Sequence, residues 1–393
     1  MKKKSSILHN YQIKIITRQE EFEELEAAWN LLLKQLGNSN FFLSFEWMLT
    51  WWKCLGFEKE LLIFVIKNGD ETVGIAPLMK EKRSISRVSF YEICFISTIE
   101  VAYSPGAFSG TLDILINPEH ESAREVFFRY LLTEIKGWNR IRLHPLPEDS
   151  QTLRILHKIG QDLNIKIDKK KVFDNAYLQI KESWETYFAG RPKKFRKNLV
   201  RAKKKLSENR KIAFVEYRNP EDINEALKNL KLVESRAWKV ETGIHLDDEE
   251  NHHFYFELAK VISEKRWLRV WVLKIDDIPI AYDYHIDYFG NIKTLKGSYD
   301  KTFAAFSPGS LLSWKAHQLF FQEGAEGVDL LWGNLDYKQK WTNCLLPHYE
   351  ISIYQSNSYS RFIKFMNTSS LVKHISIRFR KFEGKIIKIF KHW

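Results

Sequence analysis

Between Trp267 and Lys340 the apolar pattern changes period twice, and few folds accommodate the result. Residues 267–275 are apolar and rich in β-branched side chains, and Asp276-Asp277 is a tight-turn pair. Residues 278–288 read as the return strand, Phe289-Gly290-Asn291 as a second turn and 292–299 as a third strand. A loop over 300–309 ends in Ser307-Pro308-Gly309. From Ser310 to Glu323 the apolar residues Leu311, Leu312, Ala316, Leu319 and Phe320 fall at helical spacing. Gly324 and Gly327 stop that helix, and Val328–Trp332 reads as a short buried strand. A strand–loop–helix unit places free helix N–H groups beside the carboxyl end of a strand, a corner that favours anions. Every α/β unit has such a corner, so the pattern predicts the class of fold before it predicts a ligand.

With 393 residues the chain suits two domains rather than one core. An apolar content of 44 % excludes a disordered chain, and a net charge of +12 predicts anionic partners without choosing among nucleic acid, phosphorylated cofactors, acidic lipids and acidic glycans. Cys54, Cys94 and Cys344 lie too far apart in sequence for a metal motif, and their odd number argues against a disulfide framework. Lys2-Lys3-Lys4 has no apolar run behind it, and no stretch reaches the roughly 20 apolar residues of a spanning helix. The expected compartment is the cytoplasm.

The first half predicts a strand over 11–17, an amphipathic helix over 20–35 and a helix from Ser44, as N-cap, to Leu55. Trp47, Trp51 and Trp52 on that helix fit a core or a pocket wall better than a stacking platform for bases. A hairpin over 61–80 turns at Asn68-Gly69-Asp70, and strands are expected over 87–99, 111–116, 139–144 and 172–180, with helices over 121–136 and 150–160. Val65-Ile66-Lys67…Asp70…Val73-Gly74 matches Val272-Leu273-Lys274…Asp277…Ile280-Ala281, and in both halves a helix, a glycine and a strand follow. Repeated order predicts tandem α/β domains over 1–180 and 181–356, followed by a basic amphipathic tail over 357–393. The tail suits an anionic membrane surface, a docked terminal helix or a disordered end equally.

Between the halves, residues 191–206 place Phe195, Leu199, Ala202 and Leu206 at helical spacing beneath a strongly basic face that includes Arg191 and Lys194. That face is either a solvated surface or an arm for phosphates or an acidic partner. A further helix is expected from Glu221 to Val240, through Trp238-Lys239. Asp283, His285 and Asp287 share one face of the strand 278–288 by alternation, and a histidine there suits either general-base work or a plain pairing with a neighbouring aspartate on an exposed sheet face. Asp329, between Val328 and Leu330-Leu331, should be paired or functional. Tyr337 and Lys338 follow in a turn from which a phenol or ammonium can reach a cleft.

Ser307-Pro308-Gly309 with Leu312, Gly324 and Asp329, then Gly333-Asn334-Leu335-Asp336-Tyr337-Lys338, together resemble the GNAT acyltransferases. The nearest subgroup is the CelD-like acetyltransferases associated with cellulose and other exopolysaccharides, with FemAB-like aminoacyl transferases as relatives. Trp238-Lys239, Gly243, the block 191–206 and Phe42-Leu43-Ser44 with Trp47 and Trp51 extend the likeness over residues 11–355. It implies mixed sheets flanked by helices in tandem acyl-CoA N-acyltransferase domains. It also implies an acyl-CoA donor, probed first as acetyl-CoA, at Ser307, Pro308, Gly309, Ser310 and Leu311. By the same resemblance a sugar-like or envelope-precursor acceptor would sit near Trp47, Trp238, Lys239, Arg191 and Lys194. Catalysis is expected from His285, Asp283, Asp329, Tyr337 and Lys338, with no metal. The loop 301–309 departs from the glycine-rich pyrophosphate loop, since it has one glycine and a proline that supplies no N–H. A tRNA-borne or carrier-protein-borne donor, with the basic helix holding RNA, is therefore the second expectation. A non-catalytic protein binding nucleic acid or a membrane surface is the third.

Overall fold

The computed structural model describes residues 11–37, 40–86, 88–98, 109–237, 249–332 and 336–368. Among these, the strands join one mixed, 13-stranded sheet. In the first half, β1 (Gln12–Ile16), β2 (Glu60–Asn68), β3 (Glu71–Ile85) and β4 (Val88–Phe95) form an antiparallel meander, with β5 (Leu115–Ile116) on β3. Helices α1 (Gln19–Glu23), α2 (Glu26–Gln35) and α3 (Phe45–Leu55) lie between β1 and β2. The single helix expected over 20–35 is thus two, broken at Glu24-Leu25. The Ser44 cap is present, its hydroxyl accepting from the Trp47 N–H at 3.2 Å. After α4 (Ser122–Thr133), β6 (Arg140–Pro147) pairs parallel with β4. Then come α5 (Gln151–Leu163) and β7 (Ile167–Gln179).

The second half repeats this plan. After α6 (Trp184–Ala189) and the basic α7 (Lys193–Ser207) come β8 (Ile212–Tyr217), α8 (Ile223–Glu234) and α9 (Glu249–Glu264). A meander follows of β9 (Leu268–Ile275), β10 (Ile278–Tyr288) and β11 (Asn291–Tyr299), with β8 on its edge. The helix α10 (Pro308–Gln322) leads to β12 (Gly327–Trp332), which is parallel to β11. The short α11 (Asp336–Gln339), β13 (Leu345–Tyr354) and α12 (Ser358–Thr368) close the described chain. The sequence pattern did not disclose β8, α9 or β13.

The duplication extends to single residues. Ile66 pairs with Gly74 and Leu273 with Ala281, a constant offset of 207 residues, and the register slips at the same place in both hairpins, leaving Val73 and Ile280 as the extra residues. Each bulge carbonyl is then used alike. Val73 O accepts from the Asn117 N–H and Ile280 O from the Asp300 N–H, both at 2.8 Å. Asn117 and Asp300 in turn cap the turns that feed α4 and α10, accepting from Glu119 N–H and Thr302 N–H.

One feature ties the halves together. β13 lies beside β6, β7 lies beside β12, and β7 and β13 pair antiparallel at the centre of the sheet. The last strand of each half therefore completes the sheet of the other. A division at residue 180 leaves β7 in the first half by sequence and in the second by hydrogen bonding. One core spans the first half, α8, α9 and the facing side of β9 and β10; a second lies under α6, α7 and α10.

Candidate active site

β11 and β12 stay paired only through Lys293 and Asp329, then separate. In the first half β4 and β6 separate in the same way after Cys94 and Arg142. A gap between diverging parallel strands exposes main-chain polar groups that need partners. In the first gap the chain itself supplies them: Leu112 N–H donates to Pro145 O at 2.8 Å and Thr98 Oγ1 to His144 O at 3.1 Å. In the second gap the described partner is a side chain. Lys338 Nζ donates to Leu331 O at 3.2 Å and to Trp332 O at 2.6 Å. An ammonium has three N–H donors, so one has no partner among the described residues. Burial pushes the Lys338 ammonium down to about 8, with the nearby Asp329 charge opposing the shift.

Asp329 is paired. Lys293 Nζ lies 3.4 Å from its Oδ2, Leu331 N–H donates to its Oδ1 at 2.8 Å, and Asn175 Nδ2 approaches Oδ2 at 3.5 Å while also donating to Gly110 O. Leu331 is held at a positive φ of 60° by this contact, which turns the carbonyls toward Lys338. Asn175 comes from β7, so the strand exchange delivers a first-half residue to the second-half site. His348, from β13, stacks on Phe173 and bonds Thr111 Oγ1 at 2.7 Å beside the same cluster.

On the other face of the gap, Asp283 accepts from Ser313 Oγ of α10 at 3.0 Å. Its room is made by Gly297, where a Cβ would lie 2.4 Å from Asp283 Oδ1. Tyr337 stands close enough to feel that carboxylate: burial and the Asp283 charge push its phenol up to about 12, although the side chain as a whole is 49 % exposed. Trp332, Tyr337, Leu345 and Leu346 form an exposed apolar shelf at the mouth, with Trp332 and Leu346 both in register with Asn175.

His285 sits apart from solvent. Its Nδ1 bonds Thr294 Oγ1 at 3.0 Å, its ring meets Phe320 of α10 edge-on at 5.2 Å, and its Nε2 has no hydrogen-bond partner among the described residues and lies 3.9 Å from Asp283. Burial, then the charges of His317 and Arg269, holds its pKa well below the usual histidine range. The expectation of an exposed sheet face there is corrected by α10, which covers that face.

Ser307, Pro308, Gly309, Ser310 and Leu311 form the start of α10. Ser307 is left-handed at φ 49°, and Leu311 N–H is the first to bond within the turn, to Ser307 O at 3.1 Å. Because Pro308 has no N–H, the groups left ahead of that bond are those of Gly309 and Ser310. Of the acceptor residues, Trp47 is core: it is fully buried, meets Phe41, Phe42 and Phe254 edge-on and donates to Ser109 Oγ at 2.9 Å. Arg191 ties α6 to the body through Trp341 O and covers Tyr187. Lys194 is exposed on α7. Trp238, Lys239, Gly243 and 333–335 lie outside the described residues. Glu81, Glu92 and Cys94 place three possible metal-ligand atoms within 4.8 Å of one another. Arg83, Arg140 and Arg142 already pair with those carboxylates; burial would raise Glu92, and the arginines outweigh it and hold its pKa low.

No curated protein matches the chain. Residues 193–339 match the family model described as an acetyltransferase (GNAT) domain. Among solved structures, the chain is similar to FemX at 10 % identity and a TM-score of 0.57, covering 90 % of this chain and 99 % of that one. It is also similar to the C-terminal domain of an Agrobacterium fabrum protein named as a lysylphosphatidylglycerol synthetase, at 10 % identity and a TM-score of 0.53, with coverage of 89 % and 98 %. A conserved protein of unknown function from Bacteroides thetaiotaomicron is similar at 9 % identity and a TM-score of 0.51, with coverage of 87 % and 100 %. At such identities the likeness shows the fold alone. No helix among the described residues is long and apolar enough to cross a membrane. Residues 193–339 thus match an acetyltransferase (GNAT) domain, and they lie within a mixed α/β fold whose two halves repeat one plan.

Proposed function

We propose that the protein is an acyltransferase that moves an acyl group, acetyl being the first to test, from a coenzyme A thioester to an amine or hydroxyl of a sugar-like envelope or exopolysaccharide precursor. The observation that carries this reading is the second-half gap, where the buried Lys338 ammonium, the Tyr337 phenol and the Asp283 carboxylate, bonded to Ser313 of α10, stand near a helix whose first turn carries no acid. The N–H groups of Gly309 and Ser310 would receive the pyrophosphate. The acceptor attacks the thioester carbonyl, and the third Lys338 N–H steadies the oxyanion. As the C–S bond breaks, Tyr337 gives its proton to the thiolate. Asp283 takes the proton leaving the acceptor and returns it to the Tyr337 phenolate, so every proton is accounted for. A phenol pushed up to about 12 stays protonated until a thiolate needs it. The shelf of Trp332, Tyr337, Leu345 and Leu346 suits the apolar face of a ring-shaped acceptor. His285, sealed under α10, is assigned to positioning Asp283, and Asp329 to positioning Lys338.

A second reading is favoured by α7. Lys193, Lys194, Lys197, Arg201, Lys203, Lys204 and Lys205 are all exposed there, and the helix carries no acid. An aminoacyl-tRNA donor would use that face through its phosphates. A thermal-shift screen with coenzyme A, acetyl-CoA and longer acyl-CoAs separates the two. A ligand at about 100 times its Kd adds roughly 2.7 kcal/mol, which raises Tm by several degrees. No shift, together with RNA that copurifies and leaves on high-salt washing, would replace the first reading by the second.

A further inference from the structure

α12 has the pattern of a surface helix with the wrong outer face. Its inner side is settled: Ser360 and Ile363 are buried against β3 and β13, Ser360 Oγ accepts from Asn139 Nδ2 at 3.4 Å, and Asn367 donates to Tyr354 Oη at 3.3 Å. The side turned away from the sheet should then be polar. Instead it presents Phe362 and Phe365, which are 45 % and 61 % exposed, and beside them the ring of Tyr359, 46 % exposed, whose hydroxyl donates to Ser89 O at the edge of β4. Three large aromatics on successive turns of one helix are a contiguous patch, unlike the scattered apolar residues of an ordinary surface.

The surroundings of the patch are basic. Arg361 is exposed between Tyr359 and Phe362, and among the described residues its guanidinium has only a main-chain acceptor, Ser356 O at 3.0 Å. Lys364 reaches Asp168 at the head of β7, and the next residues on that strand are Lys169, Lys170 and Lys171, all exposed. The sequence beyond α12 continues the composition: residues 369–393 hold Lys373, Arg378, Arg380, Lys381, Lys385, Lys388 and Lys391 against Glu383 as the sole acid, interleaved with Ile, Phe and Trp. Aromatic side chains flanked by Lys and Arg suit a lipid–water boundary, where rings enter the headgroup layer and cations meet anionic lipid. A protein partner would need matching acids and a shaped pocket, whereas an anionic bilayer matches both the flat aromatic stripe and the charge.

We propose that α12 is a membrane-docking helix that lays Tyr359, Phe362 and Phe365 on an anionic lipid surface, with the basic sequence after it adding electrostatic attraction. The test uses the full chain in co-sedimentation with vesicles of phosphatidylcholine alone or mixed with phosphatidylglycerol. Binding is expected to the mixed vesicles and to fall as salt screens the charges. F362S/F365S should lower partitioning at least about tenfold, since the burial of apolar side chains drives insertion, while Tm stays within a degree or two because both rings are exposed. A chain ending at residue 368 should keep part of the binding. Equal binding by F362S/F365S and wild type, or loss only on truncation, would overturn a role for α12. A wild-type protein that binds neither vesicle type, or a double substitution that only turns a dimer into a monomer, would overturn the membrane as occupant.

Discussion

The two halves share a hairpin with the same bulge, the same carbonyl-to-cap bond and the same diverging pair of parallel strands, yet they treat the gap between those strands differently. In the first half the gap is closed by Leu112 and Thr98, and the start of α4 is surrounded by Glu119, Glu121 and Asp113, with Arg124 already engaged by Glu121 and Thr152. An anion gains nothing there. In the second half the equivalent carbonyls accept from Lys338, and the first turn of α10 carries no acid, the Asp300 carboxylate ahead of it being engaged by Thr302 and Arg236. The first gap is filled by a main-chain N–H and a hydroxyl, the second by an ammonium. The fold permits a site in either place, and on the proposed function the side chains favour the second.

The largest expected effect that would break this contrast is at Lys338. K338M should lower kcat by roughly 100-fold to 1000-fold, the size seen when one oxyanion donor is removed. Wild-type turnover should fall as pH rises through about 8, where the ammonium is lost, and K338R, which stays charged, should lack that limb. The stability consequence has the opposite sign. The folded-state value lies below the ordinary 10.5, so the unfolded chain binds the extra proton between about 8 and 10.5. Folding stability from this group therefore rises with pH across that window, and K338M should remove the rise in a pH series of denaturant melts.

Next in size are two glycines, one in each half. G297A forces a Cβ to within 2.4 Å of Asp283 Oδ1, and we expect at least a tenfold loss of kcat from the displaced carboxylate. G74A forces a Cβ to within 2.4 Å of Ile116 Cδ1 and should cost about 1–3 kcal/mol of stability with kcat/KM unchanged. Loss of activity in G74A with unchanged melting would give the first half a chemical role and end the contrast. Smaller still is H285Q, for which we expect turnover within about threefold of wild type, since a buried histidine under Phe320 positions its neighbours. A hundredfold loss would restore His285 as the base. Its value, like that of His144, is held well below 6.5, so the unfolded chain takes up those protons first and stability declines as pH falls below about 6.5. H285Q and H144Q should each soften that decline.

Much of this architecture was legible in the sequence because its signals are local. The period of two in 61–80 and 267–299, the turn pairs, and the apolar spacing of α10 each report on a few neighbouring residues. The matched Lys67–Asp70 and Lys274–Asp277 pairs disclosed the duplication for the same reason. The exchange of β7 and β13 left no such signal, since strand order is set by pairing across more than 150 residues, and with it went Asn175 and His348. Tyr337 and Lys338 stood out by composition of their turn. Lys293 did not, because its meaning comes from Asp329 on the neighbouring strand. His285 looked exposed in a pattern of alternation that cannot show which sheet face a later helix will cover.

The most direct test of the central claim is calorimetric titration of acetyl-CoA into wild type and into S310D and S122D, which place a carboxylate at the start of α10 and of α4. One site per chain is expected, abolished by S310D and untouched by S122D. Two sites, binding that survives S310D, or binding lost with S122D would contradict the assignment of the donor to the second half.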